Sequence, residues 1–342
     1  MSVIESKDFA PKDYIVFVRC DTYNHSIFIE EALAGFTKQK TSFPFSCVII
    51  DDHSTDDSQH IVKEWIDKEC DQNSIVLYDS DLFYLFVANH KKNTNCFFAF
   101  YLLKQNLYGD IRKEEILEPW RIHSKYEAIC EGDDYWTYSN KLQEQVDFLE
   151  EHINYSATAS NSLIYRGVSL PTNPFGPLIN KDYYKLKDIV VKRQFHTASV
   201  VFRISSMRNC KYYKKGLWDT FKWCCLLSQG PIHYSSKMTC IYRSQQQGVT
   251  ETTPTIKWLS LTSNWADIIS DCFVPEYVKR KYVVRSVTRG VIGAYFANYR
   301  TLSIDDRRVL KELYLHNFMI NNFFFDIQEF LKQCAKKLLG RN

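Results

Sequence analysis

Three carboxylates lie within four residues in the stretch AICEGDDYW, residues 128–136. Glu131, Asp133 and Asp134 follow a short apolar run with the composition of a buried strand, and two aromatic residues follow them. Like charges this close repel each other, so a fold keeps them together only where a divalent cation or several hydrogen-bond donors compensate the repulsion. Gly132 between them would let the backbone approach a ligand closely. The stretch therefore favours a site for a hard metal ion and for phosphate.

Two other strand-like runs also end in polar residues. YIVFVRC is followed by residues 21–25, DTYNH, and CVII is followed by residues 51–54, DDHS. In open α/β sheets, ligands bind at the carboxyl ends of the strands. If the three strands are parallel neighbours, their polar ends meet in one crevice. Oxygen ligands alone favour Mg²⁺ or Mn²⁺ over zinc, and both ions keep coordination positions for phosphate oxygens.

The acids also have a purely structural interpretation. A pair of Asp residues after a strand often forms only a turn or a helix cap, and Ser54 with Asp57 three residues later has the form of a capping box. For residues 51–57 both interpretations stay open. For residues 131–134 the three acids exceed what a cap needs, which favours a ligand site.

The elements that would position these residues alternate between strands and helices. After the first strand, residues 29–36 carry apolar side chains at the spacing i, i+3, i+4, i+7, which indicates an amphipathic helix. A second apolar helix face follows residue 57, and a third follows DDYW, where Ser139 can cap the helix. This order predicts an α/β domain with a mainly parallel sheet.

Two segments give weaker signals. Residues 82–124 mix aromatic, Asn and Lys residues, and they are predicted to form one or two helices with a mobile loop around YGDIRKEEILEPW, residues 108–120. From residue 256 onward the pattern predicts helices, ending in FLKQCAKKLLGRN. This last piece is basic and amphipathic, which fits either the solvated face of a terminal helix or a helix at a membrane surface.

Composition excludes several classes of protein. The 342 residues carry 43 basic and 40 acidic side chains, a balance that gives no electrostatic argument for nucleic acid as a partner. The eleven cysteines contain no CxxC pair, so neither a disulfide framework nor a zinc site is predicted, and a reducing cytosol fits best. No signal peptide and no apolar run of ~18 residues occurs, so a cytoplasmic protein is expected. The fingerprints GxGxxG, GxxxxGK[ST], GxSxG and HExxH are also absent.

The linked motifs RCDTYNHSIFIEEALAGFTKQKTSFPFSCVIIDDHSTDDSQHIV and YEAICEGDDYWTYSNKLQEQVDFLEEHINY resemble the N-terminal half of family 2 glycosyltransferases. The similarity is closest to bacterial members that build surface polysaccharides, and it continues more weakly through FHTASVVFR, LWDTFKW and CIYRSQQQGVT. It implies a GT-A fold, which is a Rossmann-like, mainly parallel sheet flanked by helices, here with a C-terminal helical extension. The implied GT-A domain is 1–250, with a nucleotide-sugar half at 14–155 and an acceptor half at 156–250, and the helical region is 251–342.

The resemblance implies roles at the nucleotide. Asp52 matches the acid that contacts uracil, and Asp133 would lie near ribose and phosphate. The full set expected to bind the nucleotide is Asp21, Thr22, Tyr23, Asn24, Asp52 and Asp133.

Three further positions carry implied roles in metal binding and catalysis. Asp134 would bind the metal that bridges the diphosphate. Gln245 stands where the family often has a histidine and would be a late metal ligand, the alternative being a loop residue beside a strand in a different register. Asp219 in LWDTF matches the general base, and the alternative for it is a helix N-cap.

These inferences predict a metal-dependent inverting glycosyltransferase that uses Mn²⁺ or Mg²⁺ and a nucleotide-sugar donor, with a UDP-sugar expected. The acceptor would be a saccharide or a lipid-linked intermediate of cell-surface polysaccharide synthesis. We expect peripheral contact with the inner face of the cell membrane. Two alternatives stay open: a metal-dependent nucleotidyltransferase, and a non-catalytic protein that binds sugar nucleotides or glycans. Release of nucleoside diphosphate would indicate a glycosyltransferase, and release of pyrophosphate would indicate the nucleotidyltransferase. Donor binding without turnover would indicate the non-catalytic protein.

Overall fold

The computed structural model describes residues 3–5, 11–167, 173–214, 218–244, 253–298 and 300–338. The chain divides into two compact units. The first consists of Met1–Tyr183, Phe195–Lys211 and Gln229–Ser244, and the second of Tyr184–Gln194, Tyr212–Ser228 and Gln245–Asn342. The predicted division into residues 1–250 and 251–342 stays a prediction.

Strands and helices alternate through most of the first unit. The strands are β1 (Val3–Glu5), β2 (Tyr14–Thr22), β3 (Phe45–Asp51), β4 (Val76–Asp79), β5 (Phe83–Asn89), β6 (Cys96–Leu103), β7 (Ser124–Ile129), β8 (Tyr135–Trp136), β9 (Ala157–Tyr165), β10 (Asn173–Pro174), β11 (Lys181–Tyr184), β12 (Val201–Arg203) and β13 (Ile232–Arg243). The first four helices are α1 (Ile29–Thr37), α2 (Ser58–Glu69), α3 (Arg112–Ile122) and α4 (Lys141–Glu151).

The remaining helices follow residue 185. They are α5 (Leu186–Val191), α6 (Ile204–Asn209), α7 (Asp219–Leu227), α8 (Thr255–Phe273), α9 (Arg280–Val283), α10 (Arg285–Ala297), α11 (Ile304–Asn317) and α12 (Phe323–Leu338). Short 3-10 turns lie at Gln72–Ser74, Thr197–Ser199 and Ile320–Asn322.

Within the described residues the strands form one mixed sheet, in the order β1-β4-β5-β6-β3-β2-β7-β12-β9-β13-β11, with β10 paired to β9 and β8 to β13. The central strands β6, β3, β2 and β7 run parallel to one another. Antiparallel pairs flank them, β4–β5 and β5–β6 on one side and β7–β12 and β12–β9 on the other. The predicted fold class, α/β with a parallel central sheet flanked by helices and a helical C-terminal part, is confirmed.

Both faces of the central sheet are buried. On one face, Val16 and Val18 of β2 pack with apolar side chains of α1, α2 and α4. On the other face, Phe17 of the same strand packs with side chains of α3 such as Leu117 and Trp120. Burial on both faces explains why the central strands have nearly continuous apolar sequences instead of alternating ones.

The prediction of helices for residues 82–124 is wrong for most of that segment. Residues 83–89 and 96–103 form the antiparallel pair β5–β6, and the helix α3 forms within the segment that was predicted to be a mobile loop. The sequence of β6, CFFAFYLL, is buried on both faces, so it lacks the alternation that marks a half-buried strand. A short apolar run of this kind cannot be distinguished from a buried helix by periodicity alone.

Two predicted helix caps are also wrong, although both helices are present. Ser54 does not cap α2, because that helix begins at Ser58 and the Ser54 hydroxyl donates a 2.6 Å hydrogen bond to the side chain of Asp51. The residue before α4 is Asn140 rather than Ser139. The Ser139 carbonyl instead accepts a 2.8 Å hydrogen bond from the backbone N–H of Lys40.

In the second unit, α10 packs against α8, α11 and α12, and α8 also packs against α11. Among the helices that the structure describes, none combines the length and the apolar composition needed to span a membrane.

Gly35 of α1 provides a test of this packing. A Cβ atom at Gly35 would lie 2.9 Å from the nitrogen and 3.0 Å from the carbonyl oxygen of Trp136. Backbone atoms cannot move aside as a flexible side chain can, so overpacking by Gly35→Ala should cost about 1–3 kcal/mol. Since alanine gains about 1 kcal/mol in helix propensity, we expect a net loss of unfolding free energy, measured by urea denaturation.

Gly293→Ala is the matched control, because Gly293 is also a helical glycine and the nearest atom to an added Cβ lies 4.0 Å away. This variant should keep or gain stability through its helix propensity. Equal denaturation midpoints for Gly35→Ala and Gly293→Ala would contradict the packing argument.

Candidate functional site

The three polar strand ends meet at one edge of the sheet. β2 lies between β3 and β7, and all three strands are parallel. Backbone bonds continue beyond the strands: the N–H of Asp52 donates to the Thr22 carbonyl at 2.9 Å, and the N–H of Gly132 donates to the Asp21 carbonyl at 2.9 Å. The convergence that the sequence predicted is therefore present.

Glu131, Asp133 and Asp134 form a compact acidic cluster after β7. Each offers one carboxylate oxygen, and these oxygens lie within 4.8 Å of one another. Asp134 is buried, whereas Glu131 and Asp133 reach solvent. Carboxylate oxygens at this separation are the donor set that Mg²⁺ or Mn²⁺ prefers.

The buried carboxylate of Asp134 is held by groups from distant strands. Its Oδ1 accepts a 2.9 Å hydrogen bond from the backbone N–H of Arg243, and its Oδ2 lies 3.4 Å from Nδ1 of His196. Burial raises the pKa of Asp134 well above its ordinary value, and the charges of Asp133 and Glu131 raise it further, while the Arg243 N–H opposes them. Positive charge placed close to Asp134 would therefore favour its anionic form.

The Arg243 side chain fixes the turn that carries the acids. Its Nη1 donates a 2.6 Å hydrogen bond to the carbonyl oxygen of Asp133, and its Nη2 donates to Glu31. The guanidinium also lies over the rings of Phe28 and Tyr135, 4.8 and 4.4 Å from their centroids. Arg243 is the last residue of β13, so the pairing of that strand positions the acidic turn.

Gly132 is required by the packing of the site. A Cβ atom there would lie 2.5 Å from Oγ1 and 2.7 Å from Cβ of the buried Thr22. Thr22 Oγ1 in turn lies 3.2 Å from Nδ1 of His25. The His25 ring faces Asp133 at 3.9 Å, and burial lowers the pKa of His25 although the Asp133 charge acts to raise it. The close approach expected at Gly132 is thus made by Thr22.

The turn after β2 holds the loop after β3. Asn24 has a positive φ of 56°, and its Oδ1 accepts hydrogen bonds from the backbone N–H groups of Thr55 at 2.8 Å and Asp56 at 3.3 Å. Tyr23 beside it extends into solvent, being 44% exposed. Of these two predicted nucleotide residues, Asn24 has a structural role already, and Tyr23 offers a ring that a base can stack on.

Asp21 is hydrogen-bonded through only one of its carboxylate oxygens within the described residues. Its Oδ2 accepts from Nε and Nη2 of Arg19 at 2.9 and 2.7 Å, and Arg19 is paired also with Glu114 at 2.8 Å. The other oxygen, Oδ1, is buried and accepts no hydrogen bond from any residue that the structure describes. A buried acceptor in this state is one that a ligand N–H or O–H group can satisfy.

Asp52 is bound within the protein through both of its oxygens. Oδ1 accepts from the backbone N–H of Leu107 at 2.6 Å, and Oδ2 accepts from Nζ of Lys113 at 2.6 Å. The Asp52 carbonyl accepts from the side chain of Asn106 at 2.9 Å. Asp52 therefore ties the segment before α3 to the end of β3, and its contact with uracil stays a prediction.

The two remaining predicted site residues are Asp219 and Gln245. Asp219 belongs to the second compact unit, where it is the first residue of α7, and its Oδ2 accepts a 3.1 Å hydrogen bond from Nη2 of Arg193. The N-cap of α7 is Trp218, so the alternative role of Asp219 as the N-cap is wrong. Gln245 lies outside the described residues.

Sequence reasoning missed three residues that shape the site: Lys113, His196 and Arg243. His196 and Arg243 lie inside the motifs FHTASVVFR and CIYRSQQQGVT, so a search for charged residues within those motifs would have found them. Lys113 lies in the segment that the sequence predicted to be a mobile loop, and nothing in its neighbourhood marks it as the partner of Asp52.

Comparison with known proteins identifies the segment that carries two of the strand ends. Residues 20–85 match the model of the family described as "Glycosyl transferase family 2". The resemblance to family 2 glycosyltransferases is confirmed. The match begins within β2 and ends within β5, so it includes Asp21, the turn after it and Asp52. It supports a glycosyltransferase function for the chain.

Solved structures agree in fold over nearly the whole chain. Residues 1–349 of TarS from S. aureus in complex with UDP match with a TM-score of 0.58 at 15% identity, covering 96% of this chain and 92% of that one. The same protein in complex with UDP-GlcNAc matches with a TM-score of 0.59 at 14% identity and with the same coverage of both chains. The mannosyltransferase PcManGT from Pyrobaculum calidifontis, in complex with GDP-Man and Mn²⁺, matches with a TM-score of 0.50 at 13% identity. This match covers 98% of this chain and 91% of PcManGT. These proteins share the GT-A fold of this chain.

Sequence relatives cover less of the chain. The uncharacterized protein Rv1520 of Mycobacterium tuberculosis is 28% identical over 182 residues, and an uncharacterized protein of Mycobacterium bovis matches equally. The alignment covers 53% of this chain and 45% of each relative, so the chain matches about half the length of these proteins.

The pairing of Asp52 with Lys113 leads to a stability prediction. Both side chains are almost fully buried, so Lys113→Met would leave the Asp52 carboxylate without its cation in a place that water hardly reaches. Loss of one partner of a buried pair costs about 3–5 kcal/mol, and we expect a loss of about 3 kcal/mol in unfolding free energy. Urea denaturation measures it.

Lys125→Met is the matched control, since Lys125 pairs with Glu150 at the same N–O distance of 2.6 Å but with both side chains about half exposed. Water screens this pair, and its loss should cost at most about 1 kcal/mol. If both variants unfold at the same urea concentration, the pairing of Asp52 with Lys113 does not stabilise the site.

Proposed function

We propose that this chain is an inverting glycosyltransferase that transfers a sugar from a UDP-sugar to a saccharide or lipid-linked acceptor in cell-surface polysaccharide synthesis. The observation that carries the proposal is the cluster of Glu131, Asp133 and Asp134 at the carboxyl end of the parallel strands. It lies beside the strand ends contributed by the segment that matches family 2 glycosyltransferases.

A nucleotide donor is supported by the groups around the cluster. Asp21 offers a buried acceptor oxygen, and the exposed ring of Tyr23 offers a stacking surface on the turn after β2. Thr22, Asn24 and Asp52 build the two loops that would enclose the base. Two of the similar structures contain uridine nucleotides, UDP and UDP-GlcNAc, which favours UDP over the GDP of the third.

The residues of the cluster fit a divalent metal. Asp134 would hold Mn²⁺ or Mg²⁺ with Asp133 and Glu131 beside it, and Gln245 is proposed as a late ligand. When bound, such a cation neutralises the negative charge that develops on the diphosphate leaving group. Arg243 positions Asp134 through its backbone N–H and steadies the turn through the carbonyl of Asp133. The Mn²⁺ in the similar mannosyltransferase structure supports a metal at this kind of site.

Asp219 is proposed as the general base. In a single displacement the acceptor hydroxyl oxygen forms a bond to the anomeric carbon while the bond from that carbon to the diphosphate oxygen breaks. The hydroxyl proton passes to the Asp219 carboxylate, and the configuration at the anomeric carbon is inverted. Arg193 orients this carboxylate by the hydrogen bond to its Oδ2.

A panel of nucleotides tests the donor. Thermal unfolding is measured with UDP, GDP, CDP and their sugar conjugates, each with and without Mn²⁺. A ligand at about 100 times its dissociation constant adds ~2.7 kcal/mol to stability, and we expect the largest effect with UDP-sugars plus Mn²⁺. Hydrolysis or transfer that releases pyrophosphate would favour a nucleotidyltransferase, and binding without turnover would favour a non-catalytic protein.

Asp134→Asn should separate metal binding from folding. The amide oxygen of Asn can still accept from the Arg243 N–H, and removal of a buried charge relieves repulsion, so the melting temperature should stay equal or rise. The Mn²⁺-dependent part of UDP binding should fall at least about 10-fold, because a neutral amide is a weaker ligand. Calorimetric titration with UDP, with and without Mn²⁺, measures it.

The control for this variant is Asp147→Asn, an exposed aspartate of α4 outside the cluster, which should bind UDP and Mn²⁺ as the wild type does. If Asp134→Asn keeps the full Mn²⁺ effect, Asp134 is not a metal ligand.

Asp219→Asn should lower kcat by ~10²–10⁴-fold, the usual contribution of a general base, with the dissociation constant of the donor unchanged. Sugar transfer is followed by release of nucleoside diphosphate. Asp267→Asn is the control, since Asp267 lies in the same unit, pairs with Arg280 at 3.1 Å and is as exposed as Asp219, 35% against 34%. A kcat for Asp219→Asn within threefold of the wild type would exclude Asp219 as the base.

A further inference from the structure

Helix α12 has its apolar side chains on the outside. Phe324 is 82% exposed and Leu331 is 59% exposed. At 100° per residue, the exposed apolar side chains occupy one arc of about 120° on the helix. These side chains, called here the apolar face of α12, are Phe323, Phe324, Ile327, Phe330 and Leu331. An arc of this width normally faces a protein core.

The two acidic side chains of the same helix face the protein. Asp326 is buried, and it accepts hydrogen bonds from Oγ1 of Thr288 at 3.2 Å and from the hydroxyl of Tyr314 at 3.1 Å. Glu329 is buried too, and the guanidinium of Arg285 lies 4.4 Å from the ring centroid of Phe325. Rotating α12 to bury its apolar face would break these buried polar contacts, so its orientation is fixed.

The apolar face is therefore expected to bind a partner that removes it from water. Five large apolar side chains on one helix exceed the scattered apolar residues of an ordinary surface, and a patch of this kind marks an interaction site. Within the described residues of the second unit, Phe324 and Leu331 stay exposed, whereas Phe323, Ile327 and Phe330 line an open cavity with side chains of α10 and α11.

The charges on α12 indicate which kind of partner binds the apolar face. Its two acids, Asp326 and Glu329, are buried, and Glu329 lies 3.5 Å from Nζ of Lys332. Its three lysines, Lys332, Lys336 and Lys337, have exposed side chains. A second copy of this chain would bring no exposed carboxylate from the same helix to meet these lysines, although a two-fold interface must complement itself. Anionic lipid headgroups complement them directly, and apolar side chains enter the acyl boundary below the headgroups.

A cavity beside this face has the same character. It has a volume of about 370 Å³, and its lining combines the aromatic rings of Tyr295, Phe296 and Phe330 with the cationic side chains of Arg307 and Lys311. Apolar walls with cations nearby suit an acyl chain under an anionic headgroup.

We propose that the apolar face of α12 docks on an anionic membrane surface, with the helix axis in the plane of the interface. The 16 residues of α12 give a contact about 24 Å long. Phe324 and Leu331 enter the acyl boundary, and Lys332, Lys336 and Lys337 lie at the headgroups. The proposal goes beyond the glycosyltransferase function and does not depend on it, because it concerns a surface of the second unit alone.

Flotation of the full chain with lipid vesicles tests the docking. Vesicles of phosphatidylcholine alone are compared with vesicles that contain 30% phosphatidylglycerol. We expect the wild type to bind the anionic vesicles at least about 10-fold better. The double variant Phe324→Ser/Leu331→Ser should lose binding to them by at least about 10-fold. Ile153→Ser, at an exposed apolar residue of the first unit, is the matched control and should bind as the wild type does.

The lysines are tested by the triple variant Lys332→Gln/Lys336→Gln/Lys337→Gln. Each basic residue near an anionic surface contributes about a factor of 5–10, so the triple variant should lose roughly 100-fold on anionic vesicles and nothing on neutral ones. Because all the substituted side chains are exposed, the variants should keep the wild-type melting temperature and UDP binding.

Two outcomes would overturn the proposal. One is failure of the wild type to float with anionic vesicles, or equal flotation of the wild type and Phe324→Ser/Leu331→Ser. The other is a wild-type dimer in sedimentation equilibrium that becomes monomeric in this variant while neither binds vesicles, which would assign the face to a second copy. Loss of UDP binding with intact flotation would affect only the glycosyltransferase proposal.

Discussion

The repulsion among Glu131, Asp133 and Asp134 is the constraint on which this site depends. The turn after β7 forces the three carboxylates within 4.8 Å, and an arginine 109 residues further along the chain from Asp134 stabilises that turn. Arg243 reaches it because β13 pairs with β8, with Cys240 opposite Trp136 in the register. The acidic turn therefore acquires its geometry only when the far side of the sheet has formed, and a fragment that ends before β13 would lack its main source of compensation.

The charges of the acids at the neighbouring strand ends are compensated differently, and this difference bears on where in the site a cation would bind. Asp21 has Arg19 on one oxygen, and Asp52 has a lysine and a backbone N–H on its two oxygens. Full pairing of a buried carboxylate removes the electrostatic reason for it to bind a cation. The acids of the 131–134 turn lie within 4.8 Å of one another, and burial raises the pKa of Asp134, so we expect a divalent cation to be favoured there.

The central strands and the meeting of their polar ends could be predicted from sequence, because apolar composition and strand-end acids are local signals. The partners of those acids could not. Lys113 and Arg243 reach these acids only because the fold brings distant segments together. Lys141 follows an ordinary helix pattern in sequence, yet it is buried with its Nζ 4.4 Å from the ring centroid of Trp136, and burial lowers its pKa to about 8. The capping box expected at Ser54 failed for a related reason. The Ser54 hydroxyl donates to the charged carboxylate of Asp51 and its oxygen accepts from the backbone N–H of Asn24, and neither contact involves the helix N–H groups that a cap would satisfy.

The acidic cluster and helix α12 are two departures from the same rule. A folded chain buries apolar surface and leaves charge in water, yet Asp134 is a buried charge with incomplete compensation and Phe324 is a large ring in solvent. Each departure has a cost that the isolated chain does not recover. Asp134 is held in place by Arg243, and the outward face of α12 is held by the buried contacts of Asp326. Because both features are fixed by specific hydrogen bonds, neither can relax by a local rearrangement. The two proposed partners would each stabilise one of them: a cation at the acidic cluster and an apolar, anionic surface at α12.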